Sequence, residues 1–126
     1  MIKFEKQEHK QLTLHFNSDE LECHCNTKHT NSIHQGLLEK LEALRKLVGG
    51  AIKVNCAYRC ETHNQNIGGV KDSQHLRGFA ADIVVPGLDT LNLYGLACKA
   101  GFNGVGLYDN FVHVDVRPGP FTTWRG

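Results

Sequence analysis

The chain has 126 residues, room for one domain with a real core and too few for two ordinary ones. Hydrophobic residues make up 40% and charged residues 21%, the balance of a folded globular protein rather than a disordered one. A formal net charge of +1, with lysines and arginines scattered, excludes the broad basic surface of a general nucleic-acid binder.

Residues 1 to 31 read as mostly irregular, with at most a short strand near Leu12 to Phe16. Met1 to Phe16 alternates charged and apolar residues. It lacks the apolar core of a secretory signal, and nothing in the chain approaches the roughly 20 apolar residues of a membrane helix. The expectation is a monomer made in the cytoplasm without a signal peptide and inserted in no membrane.

Ser32 to Val48 is the clearest helix. Ser32 and Gln35 form a capping-box pattern, and Ile33, Leu37, Leu41, Leu44 and Val48 make one apolar stripe before Gly49-Gly50. Ala51 to Tyr58 alternates as a strand, with Ile52, Val54, Cys56 and Tyr58 on one face. Glu61 to Gly69 reads as a short helix or turn, residues 70 to 79 as a loop, and Ala80 to Val85 as a second strand.

Asp89 caps a helix over Thr90 to Ala100 that Gly101 stops. Phe102 to Tyr108 and Phe111 to Val116 flank Asp109-Asn110, the pattern of a tight hairpin. Arg117 to Gly126 is expected to wrap the surface. This order predicts a single α+β domain over residues 1–126, a small antiparallel sheet with helices packed on one side.

Ser73-Gln74-His75-Leu76-Arg77-Gly78-Phe79-Ala80-Ala81-Asp82 places an imidazole and a carboxylate seven residues apart around a glycine that lets the chain turn. Both are zinc-ligand types, and a catalytic zinc typically takes three protein ligands and keeps one open position. The third candidate is His113 in Phe111-Val112-His113-Val114-Asp115-Val116. Strand alternation puts the valines in the core and His113 with Asp115 on the opposite face.

Ser-x-His-x-x-Gly-x-Ala-x-Asp followed by Phe-Val-His-Val-Asp-Val-Arg resembles the zinc D-alanyl-D-alanine carboxypeptidase and phage endolysin peptidase family. That family shares a superfamily with hedgehog-type domains. The similarity runs from about Phe16 to Trp124 and includes Asn55 to Cys60, Asn64, Gly68-Gly69 and Gly104 to Tyr108. It implies one catalytic Zn²⁺ held by His75, Asp82 and His113. It implies that Arg59 faces the active site, binding a substrate carboxylate or the oxyanion, with Ser73 and Gln74 beside it.

Many relatives carry Asp or Glu three residues before the last histidine ligand, or His two before it; this chain has Asn110 and Phe111 there. The proton acceptor must then be another carboxylate. At roughly 3.3 Å per residue, Asp109 lies about 13 Å along the strand from His113 and Asp115 about 7 Å, on the same face. This favours Asp115 as base, the alternative being that it holds a ligand histidine in its tautomer.

The implied substrate is the stem peptide of peptidoglycan, reached at the cell wall or periplasm after release. L-Ala–D-Glu is the expected bond. D-Ala–D-Ala carboxypeptidase action and a zinc-bearing binding module without catalysis are the alternatives.

Five cysteines leave at least one thiol unpaired within the chain. Cys23 and Cys25 with His24 and His29 allow a structural zinc site, although the spacing is not the usual one. The rival, favoured expectation is free thiols or one disulfide from Cys23 or Cys25 to Cys60. Cys98 is expected to be a core thiol.

Overall fold

The chain is built on two sheets. In the computed structural model, which describes residues Met1–Gly126, β1 (Ile2–Glu5) pairs antiparallel with β2 (Thr30–Ile33). The main sheet has five strands: β3 (Lys53–Cys56), β4 (Ala80–Val84), β5 (Gly104–Leu107), β6 (Val112–Asp115) and β7 (Thr122–Arg125). Their order is β3-β4-β6-β5-β7. Four α-helices accompany them: α1 (Ser18–Leu21), α2 (Gln35–Val48), α3 (Glu61–Asn66) and α4 (Thr90–Ala100).

The apolar stripes explain the packing. Leu37, Leu38, Leu41 and Leu44 of α2 and Leu93 and Ala97 of α4 are fully buried. They share one cluster with Ala81, Ile83, Val105, Val112 and Val114 from the sheet. Because strand side chains alternate, the residues between these face away from the core. The register aligns them in rows: Cys56, Asp82, His113, Gly106 and Trp124 form one row across all five strands, and Ala80, Asp115 and Gly104 another.

Several expectations are met closely. α4 spans Thr90–Ala100 with Asp89 as N-cap and left-handed Gly101 (φ 98°) as its stop. The Asp109-Asn110 hairpin joins β5 and β6.

Others are corrected. Residues 1 to 31 hold β1 and α1 rather than irregular chain, and α1 carries a full capping box between Asn17 and Glu20. α2 starts at Gln35, capped by His34, whose Nδ1 accepts from the Gly36 N–H at 2.9 Å. Ser32 is drawn into β2, where Lys3 is its register partner; tertiary pairing overrides the local cap signal. The tail forms β7, parallel to β5, so the main sheet is mixed rather than wholly antiparallel. The loop over 70 to 79 contains a 3₁₀ turn, Gln74–Arg77.

Candidate metal centre

His75 is positioned by its own short turn. Ser73 caps the 3₁₀ turn, its Oγ accepting from the His75 N–H at 3.2 Å. Left-handed Gly78 (φ 72°) ends the turn, and a Cβ there would run into the Ser32 carbonyl. The chain then enters β4, which delivers Asp82. β6 lies beside β4 with His113 in register with Asp82. The three side chains, far apart in sequence, therefore meet above the polar face of the sheet.

Asp82 Oδ1 lies 3.3 Å from His75 Nε2 and 3.1 Å from His113 Nδ1. The imidazole rings stand nearly perpendicular with centroids 5.2 Å apart. Ligands about 2.0 Å from a tetrahedral ion sit about 3.3 Å from one another, and the two separations from Asp82 match that spacing.

The outer ring nitrogens are tied as well. His75 Nδ1–H donates to the Ala57 carbonyl at 2.7 Å, and His113 Nε2–H donates to Asp115 Oδ2 at 2.8 Å. Such bonds fix tautomer and ring orientation and leave the inner nitrogens free to ligate.

Electrostatics bind the trio together without a metal. Burial pushes the His75 imidazole down, but the Asp82 carboxylate and the Cys56 sulfur outweigh it and hold the group up at about 9. Burial raises Asp82, and the two imidazoles more than reverse this, holding it well below the usual carboxylate range.

Asp115 is fully buried and heavily engaged. Besides His113, it accepts from the Arg117 backbone N–H at 3.1 Å, Nε at 2.9 Å and Nη2 at 2.7 Å. Burial raises its pKa and these bonds bring it down to about 2. Gly104 opposite leaves room for it; a Cβ there would meet both carboxylate oxygens. Asp115 thus sits behind the His113 ring, on the nitrogen that faces away from Asp82. Asp109 opens onto a separate hollow with Thr90, Leu91, Leu107, Tyr108 and Arg125.

The trio lies in a cleft of about 690 Å³. Arg59, Ser73 and Gln74 line it. Arg59 Nη1 donates to Asn64 Oδ1 at 2.7 Å and Nη2 to Cys56 Sγ at 3.5 Å, while its buried Nε has no partner. Gln74 Oε1 is likewise buried and unpaired. Asp72 is the only lining carboxylate besides Asp82.

Sequence reasoning missed Asp72, Tyr108, Arg117 and Trp124 as cleft residues. Trp124 sits 5.2 Å from the His113 ring, packs against Gly106 and donates its Nε1–H to Tyr108 Oη at 2.9 Å. Tyr108 stacks on Phe111 at 4.5 Å, and the Arg117 guanidinium lies 4.8 Å from the Trp124 ring centre. The alternating glycines 104 and 106 were the available signal, since glycine in a strand often marks a close approach. Cys56 reaches this face through an irregularity in the β3–β4 register. Its sulfur lies 3.9 Å from His75 Nδ1, and one ligand atom each of Cys56, His75 and Asp82 lie within 4.8 Å of one another, so Cys56 stands beside the trio as a further ligand-type group.

The family model described as Peptidase M15 matches residues 14–115. The chain belongs to the M15 peptidase family. The M15 match contains all three converging side chains and stops at Asp115, so Arg117 and Trp124 lie outside it.

The chain is 33% identical over 112 residues to the probable peptidoglycan L,D-endopeptidase MepK of Haemophilus influenzae, covering 79% of this chain and 59% of that protein. It is 33% identical over 96 residues to the peptidoglycan L,D-endopeptidase MepK of Escherichia coli K12, covering 69% and 53%. The chain spans a little over half the length of these M15 relatives.

Proposed function

We propose that this chain is a zinc-dependent peptidoglycan endopeptidase that cuts stem peptides at an L–D bond, L-Ala–D-Glu being the expected one. The observation that carries it is the convergence of His75 Nε2 and His113 Nδ1 on one oxygen of Asp82, with both outer nitrogens already bonded. The relatives' designation as L,D-endopeptidases supports the L–D junction. A zinc ion held by these three residues would polarise the scissile carbonyl and lower the pKa of a water to about 7.

The chain's own groups then divide the work. Asp115 keeps His113 in the tautomer that presents Nδ1, which is the supporting role rather than that of the base. Asp72, the remaining carboxylate lining the cleft, would accept the proton of the attacking water. Arg59 offers its unpaired Nε–H to the developing oxyanion or a substrate carboxylate, and Gln74 offers its unpaired Oε1 to a substrate N–H. Trp124, Tyr108 and Phe111 form an aromatic wall on the other side.

Digestion of purified sacculi, with fragments identified by mass, tests this. New D-Glu amino termini are expected. Release of free D-Ala would make the enzyme a carboxypeptidase, and no cleavage by zinc-loaded protein would make it a binding module.

A further inference from the structure

A second cluster of metal-ligating side chains lies away from the cleft. Cys23, Cys25 and Cys60 sulfurs and one ring nitrogen of His29 all lie within 4.8 Å of one another. All five cysteines of the chain are free thiols. His24, the nearer histidine in sequence, is exposed and stands outside the group. We propose that Cys23, Cys25, His29 and Cys60 bind a second zinc ion, structural rather than catalytic.

Four features support it. Three sulfurs and one imidazole complete the tetrahedral set of a closed structural site, leaving no open position. A disulfide would consume two of the sulfurs and leave the third sulfur and the imidazole unused.

His29 is oriented as a ligand. Its Nδ1–H donates to the Thr30 carbonyl at 3.1 Å, which turns Nε2 toward Cys25 Sγ at 2.9 Å.

Backbone donors point at the sulfurs: the Cys60 N–H at Cys23 Sγ, 3.3 Å, and the His63 N–H at Cys60 Sγ, 3.4 Å. Three thiolates on a divalent ion leave one net negative charge. Lys6 Nζ is close by, donating to the carbonyls of Cys23 at 3.1 Å and Cys25 at 2.7 Å.

The loop is also built to hold this shape without the ion. Buried Asn31 accepts from the Cys23 N–H at 2.9 Å and donates to the Phe4 carbonyl at 3.4 Å, fixing the cysteine loop to β1.

The position gives the ion a purpose. Cys60 follows Arg59 directly and caps α3, whose Asn64 holds the Arg59 guanidinium. A metal clip between the segment 23–29 and Cys60 would anchor that wall of the cleft to the N-terminal part of the chain.

The test is cobalt substitution of the whole chain purified under reducing conditions. The cluster predicts an intense near-ultraviolet sulfur-to-cobalt charge-transfer band. The band should persist in His113→Ala and in Cys56→Ser, whose sulfur lies beside His75, and be lost or sharply weakened in Cys25→Ser. His29→Cys should keep it through a four-sulfur set, so a Cys25→Ser chain that fails to fold leaves the question decidable. Zinc content should be about two ions per chain, falling to about one in His113→Ala. Absence of the band in the parent chain overturns the proposal. So does a denatured, unreduced chain that titrates fewer than its five thiols, since that reveals a disulfide. Loss of wall hydrolysis in His113→Ala with the band intact separates this ion from the catalytic one.

Discussion

Asp115 and His113, two residues apart on one face of β6, are joined by a 2.8 Å hydrogen bond through the imidazole nitrogen turned away from Asp82. The carboxylate is completely buried, so its charge is spent on the ring and on Arg117 rather than on solvent. Asp115→Asn should therefore weaken zinc binding by about 10- to 100-fold. Competition against a chelator of known affinity measures this. Zinc affinity unchanged with hydrolysis abolished would return Asp115 to the role of base.

Asp72 gives the complementary result. Asp72→Asn is expected to cut hydrolysis by about 10²–10⁴-fold, the contribution of a positioned proton acceptor, while zinc affinity stays the same. A variant that digests sacculi at the parent rate would remove Asp72 from the mechanism.

Arg59 uses both terminal nitrogens on Asn64 and Cys56 and keeps Nε free. Lysine has one nitrogen and no such fork. Arg59→Lys should lose on the order of 10²–10³ in kcat with zinc retained, comparable to removing one oxyanion donor. Unchanged turnover would exclude a role for the guanidinium at the reacting group.

Trp124 is the sole tryptophan, 5.2 Å from the His113 ring. Adding zinc to metal-free protein should change its emission, saturating with occupancy of the His75 site. The Cys25→Ser chain should show the same response. An unresponsive Trp124 would mean that metal does not reach His113.

The His75 proton makes metal binding pH-dependent. In the metal-free chain its pKa is raised from 6.5 to about 9, so zinc must displace a proton over most of the neutral range. Apparent zinc affinity should fall by about tenfold per pH unit below about 9 as that proton competes. The same shift carries a stability term. A group raised in the folded state stabilises fully below its unfolded pKa of 6.5, and the stabilisation is lost as pH rises through about 9. In chelator, the difference in unfolding free energy between the parent and His75→Gln should be largest below pH 6.5 and shrink through pH 9. An imidazole resonance of His75 titrating near its ordinary value would defeat both expectations.

Local signals made much of this protein legible from its residues alone. The stripe of Leu37, Leu41 and Leu44, the Asp89 and Gly101 caps and the Asp109-Asn110 turn each depend on interactions within a few residues. Alternation along β6 likewise put His113 and Asp115 on the face away from the core. The three residues that converge at the cleft were singled out by their resemblance to a family pattern.

What depended on pairing between distant segments was not legible. Ser32 looks like a helix cap until β1 claims it as a strand neighbour. The tail reads as a surface wrap until β5 supplies a parallel partner that brings Trp124 over Gly106. Cys60 was expected beside Cys23 or Cys25 as a disulfide partner, but a four-cornered set of three sulfurs and His29 is visible only in the fold. Spacing along the chain reports which side chains share a face, whereas a hydrogen bond between strands or a four-cornered set of donors forms only when separate faces are pressed together by the core. That is why Asp115 could be placed beside His113 from sequence, while only the fold determined which ring nitrogen it meets.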